Sequence, residues 1–169
     1  MDILDQLKAK VVAVQEGLAG GSLVREVISG HGEDILAYQR HQLLRGLASS
    51  GEDIRPYYSE DLKPEGRFYS VETAGRYAAL KQSLSYPYVV DRNPDAPNLY
   101  FNGRFHDELG VEFNPDSLAV IGTTGYAKKI IAKYGVGTFG LMAEYWTRVW
   151  EDSGAYEELL DKLKSELYG

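Results

Sequence analysis

Apolar residues recur along this chain with two different periods. Over residues 2–19, Ile3, Leu4, Leu7, Val11, Val14 and Leu18 fall at helical spacing, with Asp2 placed as N-cap and Gly20-Gly21 as a stop. The stripe is narrow and the other faces are polar, so this helix needs a surface to lie on, its own core or a neighbouring subunit. Residues 22–29 continue as a turn of helix until Gly30-His31-Gly32 breaks it. A second helix is expected over 33–48, with Ile35, Leu36, Leu43, Leu44 and Leu47 inward and Gln39, Arg40, Gln42 and Arg45 facing away or lining a rim. Pro56 forbids its continuation, and residues 54–66 read as an ordered, irregular loop. Helical spacing returns over 73–85 through Tyr77, Leu80 and Leu84, followed by a proline-bearing loop over 86–97.

The period then changes to two. In Phe101–Phe113 the odd positions Phe101, Phe105, Leu109, Val111 and Phe113 are apolar, while Arg104, His106, Glu108 and Glu112 occupy even ones. One wet face predicts an antiparallel strand. Asn114-Pro115-Asp116-Ser117 has type I turn chemistry, and Leu118–Gly122 supplies the return strand. Tyr126–Tyr134 is a short helix with Ile130 and Ile131 inward, Lys128, Lys129 and Lys133 outward, and Gly135 as its C′ residue. A last helical region, 138–167, is interrupted at Ser153-Gly154, where Ser153 is placed to cap the final helix. The class that follows is α+β: a small antiparallel sheet centred on a hairpin at about 101–122, packed by N-terminal and C-terminal helices. Residues 1–169 form one domain, with residues 1–30 an amphipathic element available for assembly.

Composition narrows the function. With 169 residues, 18 Lys and Arg against 25 Asp and Glu, and no cysteine, the chain excludes a disulfide scaffold, a thiol nucleophile and cysteine-ligated metals. Its net charge of −7 weighs against a general nucleic-acid binder, which needs a basic face. No apolar run approaches the roughly 18 residues of a membrane span, and the start lacks a basic n-region. A soluble protein made inside the cell is expected.

Candidate chemistry is sparse. His31, His41 and His106 show neither the i, i+4 nor the His-x-His spacing of a zinc site, so no metal and no cofactor is expected. On a strand His106 and Asp107 point to opposite faces, leaving His106 and Glu108 as a solvated pair. Gly135-x-Gly137-x-x-Gly140 has dinucleotide-binding spacing, but a helix rather than a strand precedes it. Paired carboxylates, among them Glu52-Asp53, Glu60-Asp61, Asp91, Asp95 and Glu157-Glu158, leave open a carboxylate-dependent hydrolase. The unusual feature is aromatic: 13 Tyr against 5 Phe and 2 Trp. Tyr57, Tyr58, Tyr69, Tyr86 and Tyr88 all fall in the proline-bearing connections, where they either dock on a partner or fold back over their own hairpin.

Three blocks carry a resemblance. They are Gln42-Leu43-Leu44-Arg45-Gly46 with Gly51-x-x-Ile54-x-Pro56-x-Tyr58-Ser59; Asn98-Leu99-Tyr100-Phe101-Asn102-Gly103-x-Phe105-His106-x-x-Leu109; and Ala132-Lys133-Tyr134-Gly135-x-x-Thr138-Phe139-Gly140-Leu141. In order and spacing they resemble a group of structural proteins of Bacteroidetes phages and prophages, similar in outline to head–tail joining (neck) and tail-completion proteins of tailed phages, including crAss-like phages. Asn102, Gly103, Phe105, His106, Tyr134, Gly135, Phe139, Gly140 and Leu141 stand at the motif positions, and Asn102 replaces the Thr of many relatives. The resemblance implies a non-enzymatic virion subunit made in the host cytoplasm. It implies a homo-oligomeric ring that joins portal or tail components and meets nucleic acid only as passing genome, with no membrane. No catalytic residue is carried over. Leu4, Leu7, Val11, Val14, Tyr57, Tyr58, Tyr86 and Tyr88 are the expected interaction residues. The competing expectations are a small phage-encoded wall-degrading hydrolase and a cytoplasmic adaptor.

Overall fold

The helical periods become helices, and the alternating segment becomes a hairpin shorter than its pattern. The computed structural model describes residues 3–87, 90–114, 117–122 and 125–168. In chain order these form α1 (Ile3–Ala19), α2 (Ser22–Gly30), α3 (Gly32–Arg45), α4 (Val71–Ser83), α5 (Arg104–Asp107), β1 (Leu109–Asn114), β2 (Ser117–Gly122), α6 (Gly125–Tyr134), a 3₁₀ turn (Val136–Thr138), α7 (Ala143–Glu151) and α8 (Ala155–Tyr168). The class is α+β. No described helix is long and apolar enough to cross a membrane.

The residues gather into two compact units, 1–34 with 146–169, and 35–145. In the first, α1, α2 and α8 pack on one another. Their apolar residues divide unevenly: Val14, Val27, Ile28, Val149 and Ala155 are buried, while Val11, Val12, Leu18, Tyr156 and Leu160 are exposed. Gly154, with φ +85°, breaks α7 from α8 as the sequence suggested. Ser153 does not act as the cap, because its hydroxyl donates to the Val149 carbonyl. The Asp2 cap lies outside the described residues.

In the second unit, α3 buries Ile35, Leu36, Leu43 and Leu44, and an aromatic cluster of Tyr58, Phe68 and Tyr77 packs beside Ala74 and Ala78 of α4. A capping box opens α4: the Thr73 N–H donates to Ser70 Oγ at 3.3 Å, and the Ser70 N–H donates to Thr73 Oγ1 at 3.0 Å. The hairpin pairs Leu109 with Gly122, Val111 with Val120 and Asn114 with Ser117. Its expected turn includes residues 115 and 116, outside the described ones. Within this unit β2 packs on α6. A Cβ at Gly122 would stand 2.4 Å from that of Ala127, so the close approach of strand to helix requires glycine there.

Three expectations are corrected. Residues 101–108 are not strand. Gly103 takes φ +83°, which favours glycine, and the Asn102 side chain accepts the Arg104 N–H at 3.2 Å. Together with the Arg104–Glu108 ion pair at 3.1 Å, this starts a helical turn inside an alternating pattern. On α4 the buried positions are Ala74, Ala78 and Lys81, and Leu80 is exposed. On α6, Ala127 is buried and Ile131 is exposed.

Candidate functional site

The second unit is held by two glutamines. Gln39 and Gln42, three residues apart on α3, are fully buried, not facing away. Gln39 Oε1 accepts the Gly140 N–H at 2.8 Å; Gln42 Oε1 accepts the Met142 N–H at 2.8 Å while its Nε2 donates to the Gly140 carbonyl at 2.9 Å. A non-helical, bent segment thus finds on helix side chains the backbone partners that it does not find in a ladder. Gly140 itself has φ +105°, and Leu141 between the two bonded residues is buried. The first and third motif blocks meet here. The second joins through Arg40, whose Nε donates to the His106 carbonyl at 2.9 Å.

His106 is 3% exposed, so its expected place on a wet strand face is corrected: α5 turns the imidazole inward. Its Nε2–H donates to the Asn98 carbonyl at 3.2 Å, and Tyr100 and Phe105 meet its ring edge-on. Burial pulls its pKa down to about 4; the Asn98 carbonyl opposes this, and the Lys81 and Arg40 charges add to it. Between pH 6.5 and 4 the unfolded chain therefore binds a proton that the folded chain refuses. The contribution of His106 is complete above pH 6.5 and is lost, by about 3 kcal/mol, as pH drops through 4. Urea denaturation at pH 7.5 and 4.5 checks this, with the loss expected to shrink in His106→Gln.

A few residues away the chemistry is cationic. Lys81 on α4 is 2% exposed, and among the described residues no hydrogen bond or ion pair reaches its ammonium. Burial first, then the Arg92 and Arg67 guanidinium charges, pull it down to about 7. Arg92 Nη1 and Asn98 Nδ2 are buried donors without an acceptor. Asn98 Oδ1 accepts the Tyr100 N–H at 3.3 Å, which fixes the amide's orientation. Between them Leu99 holds φ +54°, a left-handed conformation costly to a branched side chain. Tyr86 stacks edge-on to Tyr100 with ring centroids 5.2 Å apart, lies under the Arg92 guanidinium at 5.8 Å, and donates its hydroxyl to the Lys81 carbonyl. The sequence did not single out Lys81 or Arg92. One signal was present: the small-residue stripe Ala74, Ala78 continues at helical spacing onto Lys81.

The other chemical candidates serve as clasps. His31 Nδ1 lies 3.0 Å from Asp34 Oδ2 and 3.1 Å from Ser153 Oγ, and Nε2 lies 3.3 Å from Glu158 Oε2. The Ser153 proton is directed at a backbone carbonyl, so the imidazole does not activate that hydroxyl. His41 Nδ1 meets the Tyr145 hydroxyl at 2.5 Å. Loop carboxylates hold loops: Asp53 accepts from Tyr57 and Asn93, each at 2.8 Å, and Asp95 accepts the Ser59 N–H at 3.0 Å. The buried Asp61 carboxylate pairs with Lys133, separating that lysine from exposed Lys128 and Lys129. Burial, then the Asp61 charge, pushes the neighbouring Tyr134 up to about 12. The 135–140 glycines follow α6 and surround a 3₁₀ turn, and α7 begins only at Ala143, so the strand–turn–helix order that a dinucleotide fingerprint needs is not formed. Among the described residues no group of three or more acids or histidines is placed to hold a metal.

The expected interaction residues separate. Val14 and Tyr58, at 8% and 3% exposure, belong to the core and are corrected as docking residues; Tyr57 and Tyr86 bind their own chain through Asp53 and Lys81. These loop tyrosines fold back, but onto the loops and α4 and not over the hairpin. Val11 is exposed on α1, as is Tyr69 in its loop. The side chains of Leu4 and Leu7, and all of Tyr88, lie outside the described residues. Of the remaining motif residues, Phe105 meets Phe139 edge-on at 6.2 Å, and Gly135, φ +85°, ends α6 as expected. In comparisons with known proteins, no family model matches the chain, and no curated protein or solved structure is significantly similar to it.

Proposed function

We propose that this chain is a non-enzymatic structural subunit of a phage particle, of the head–tail connecting or tail-completion kind. It works by assembling with copies of itself into a ring and with virion neighbours such as portal or tail components. One observation carries the reading: the apolar stripe of α1 is covered only in part. Val11, Val14 and Leu18 share one helix face, yet among them only Val14 is buried, and Val12 beside them is half exposed. On α8, Tyr156 and Leu160, one turn apart, are exposed as well. Helices with so few buried apolar residues gain by being covered, at about 1 kcal/mol for each such half-exposed side chain. The convergence of the three motif blocks in the second unit supports the same reading, because it gives each block a structural task that needs no substrate.

Mixing the purified chain with portal or tail components and imaging by negative stain tests the reading. Rings or decorated particles are expected. Zymography on peptidoglycan separates it from the hydrolase: a clearing band lost on substitution of an Asp or Glu would overturn an assembly role.

A further inference from the structure

We propose that Lys81, Arg92 and Asn98 form a buried anion site that takes a compact, doubly charged oxyanion: phosphate, or the terminal phosphate of a small phosphomonoester. Two buried donors, Arg92 Nη1 and Asn98 Nδ2, lack acceptors, and the ammonium of largely buried Lys81, on which the Arg92 charge acts, makes no hydrogen bond or ion pair among the described residues. A buried charge left unpaired is costly, and so is a buried N–H without an acceptor. Here Arg92 Nη1 and the Asn98 amide share the second state, and the Lys81 ammonium beside them has no counter-charge bonded to it among the described residues.

The cluster is tied by short links. Tyr86 bonds the Lys81 carbonyl and lies under Arg92; its ring meets Tyr100, whose N–H holds Asn98 Oδ1. Arg92 spends Nη2 on the Pro94 carbonyl at 3.3 Å, leaving Nη1 free. The third cation nearby, Arg67, is engaged with the Tyr77 hydroxyl at 3.2 Å and its ring at 4.3 Å.

Charge selects the ligand. Two uncompensated cations match a dianion, and guanidinium, ammonium and amide donors together suit the several oxygens of a phosphate better than one carboxylate. Burial selects its size, since Lys81 at 2% exposure is beyond the reach of a phosphodiester inside a duplex. Tyr86 and Arg92 also line an open cleft of about 490 Å³ at the end of α4, with Asp91 exposed at its edge. Phe101, 59% exposed and with its ring 6.0 Å from Lys81 Nζ, stands where the organic part of an ester would emerge.

The test compares the full chain in phosphate-free buffer with the same buffer at matched ionic strength containing inorganic phosphate, phenyl phosphate or acetate. Melting temperature and ³¹P line broadening are the readouts. Phosphate at about 10 mM is expected to raise the melting temperature above its chloride control, and acetate is not. Tighter binding of phenyl phosphate would place the ester group at Phe101; binding of inorganic phosphate alone would make the site closed, and both results support it. Lys81→Met is expected to melt at or above the wild type without phosphate and to lose at least about tenfold in phosphate affinity. Asn98→Asp, which sets a carboxylate against the ligand, is expected to abolish the line broadening. A wild type indifferent to both phosphates, acetate acting as strongly as phosphate, or either variant retaining wild-type affinity would overturn the site.

Discussion

Replacing Gln42 with leucine is expected to lower stability by about 2–4 kcal/mol. Leucine fits the volume and suits a core helix, so a reading by hydrophobicity alone expects no loss. The bonds decide otherwise. The substitution strands the Met142 N–H and the Gly140 carbonyl, both bonded to Gln42 at 2.8 and 2.9 Å, and each stranded backbone group costs about 1–3 kcal/mol. The 138–142 segment would peel from α3, carrying buried Leu141 with it. Urea denaturation reads the loss, and hydrogen exchange locates it at the amides of Gly140 and Met142. Unchanged protection at those two amides would show that the glutamine zipper does not hold the segment.

Alanine at Gly66 is expected to cost at least about 3 kcal/mol. The added Cβ would lie 2.2 Å from the Asp61 carbonyl carbon and 2.3 Å from the Leu62 nitrogen. Those are backbone atoms in a loop tightened on itself, with the Arg67 and Phe68 N–H groups donating to the Asp61 carbonyl at 2.8 and 2.9 Å. No side-chain rotation relieves such a clash, so the loop must open. Phe68, edge-on to Tyr58 at 6.1 Å, would leave the aromatic cluster with it. Gly75 is the internal control. It is an exposed glycine within α4 whose Cβ position is open, so alanine there is expected to stabilise by about 0.5–1 kcal/mol through helix propensity. Thermal melts of the two variants should therefore move in opposite directions.

The helices were legible because apolar spacing and glycine stops act locally: α1, α2, α3, α4, α6 and α8 lie within a few residues of where the spacing places them. The errors arose where a polar residue is buried by a long-range partner. Gln39 and Gln42 look like rim residues until the chain returns about a hundred positions later with unpaired backbone groups. His106 looks like a wet strand residue until Gly103 turns the chain into α5. Lys81 sits on the buried side of α4 because of what surrounds Tyr86, Arg92 and Asn98, and no local period encodes that. The exposed stripe of α1 was readable as a helix seeking cover. Which of its residues stay uncovered, Val11 and Leu18 but not Val14, needed the packing with α2 and α8.

The most direct test of assembly through that stripe is sedimentation velocity of the full chain across a concentration series, alongside a Val11→Asp, Leu18→Asp double variant. Both positions are about two-fifths exposed, so the charges fall on the surface and the variant folds. The account predicts that the wild type shifts to discrete larger species as concentration rises, while the variant stays monomeric. Wild type and variant sedimenting alike, as monomers at every concentration, would contradict it.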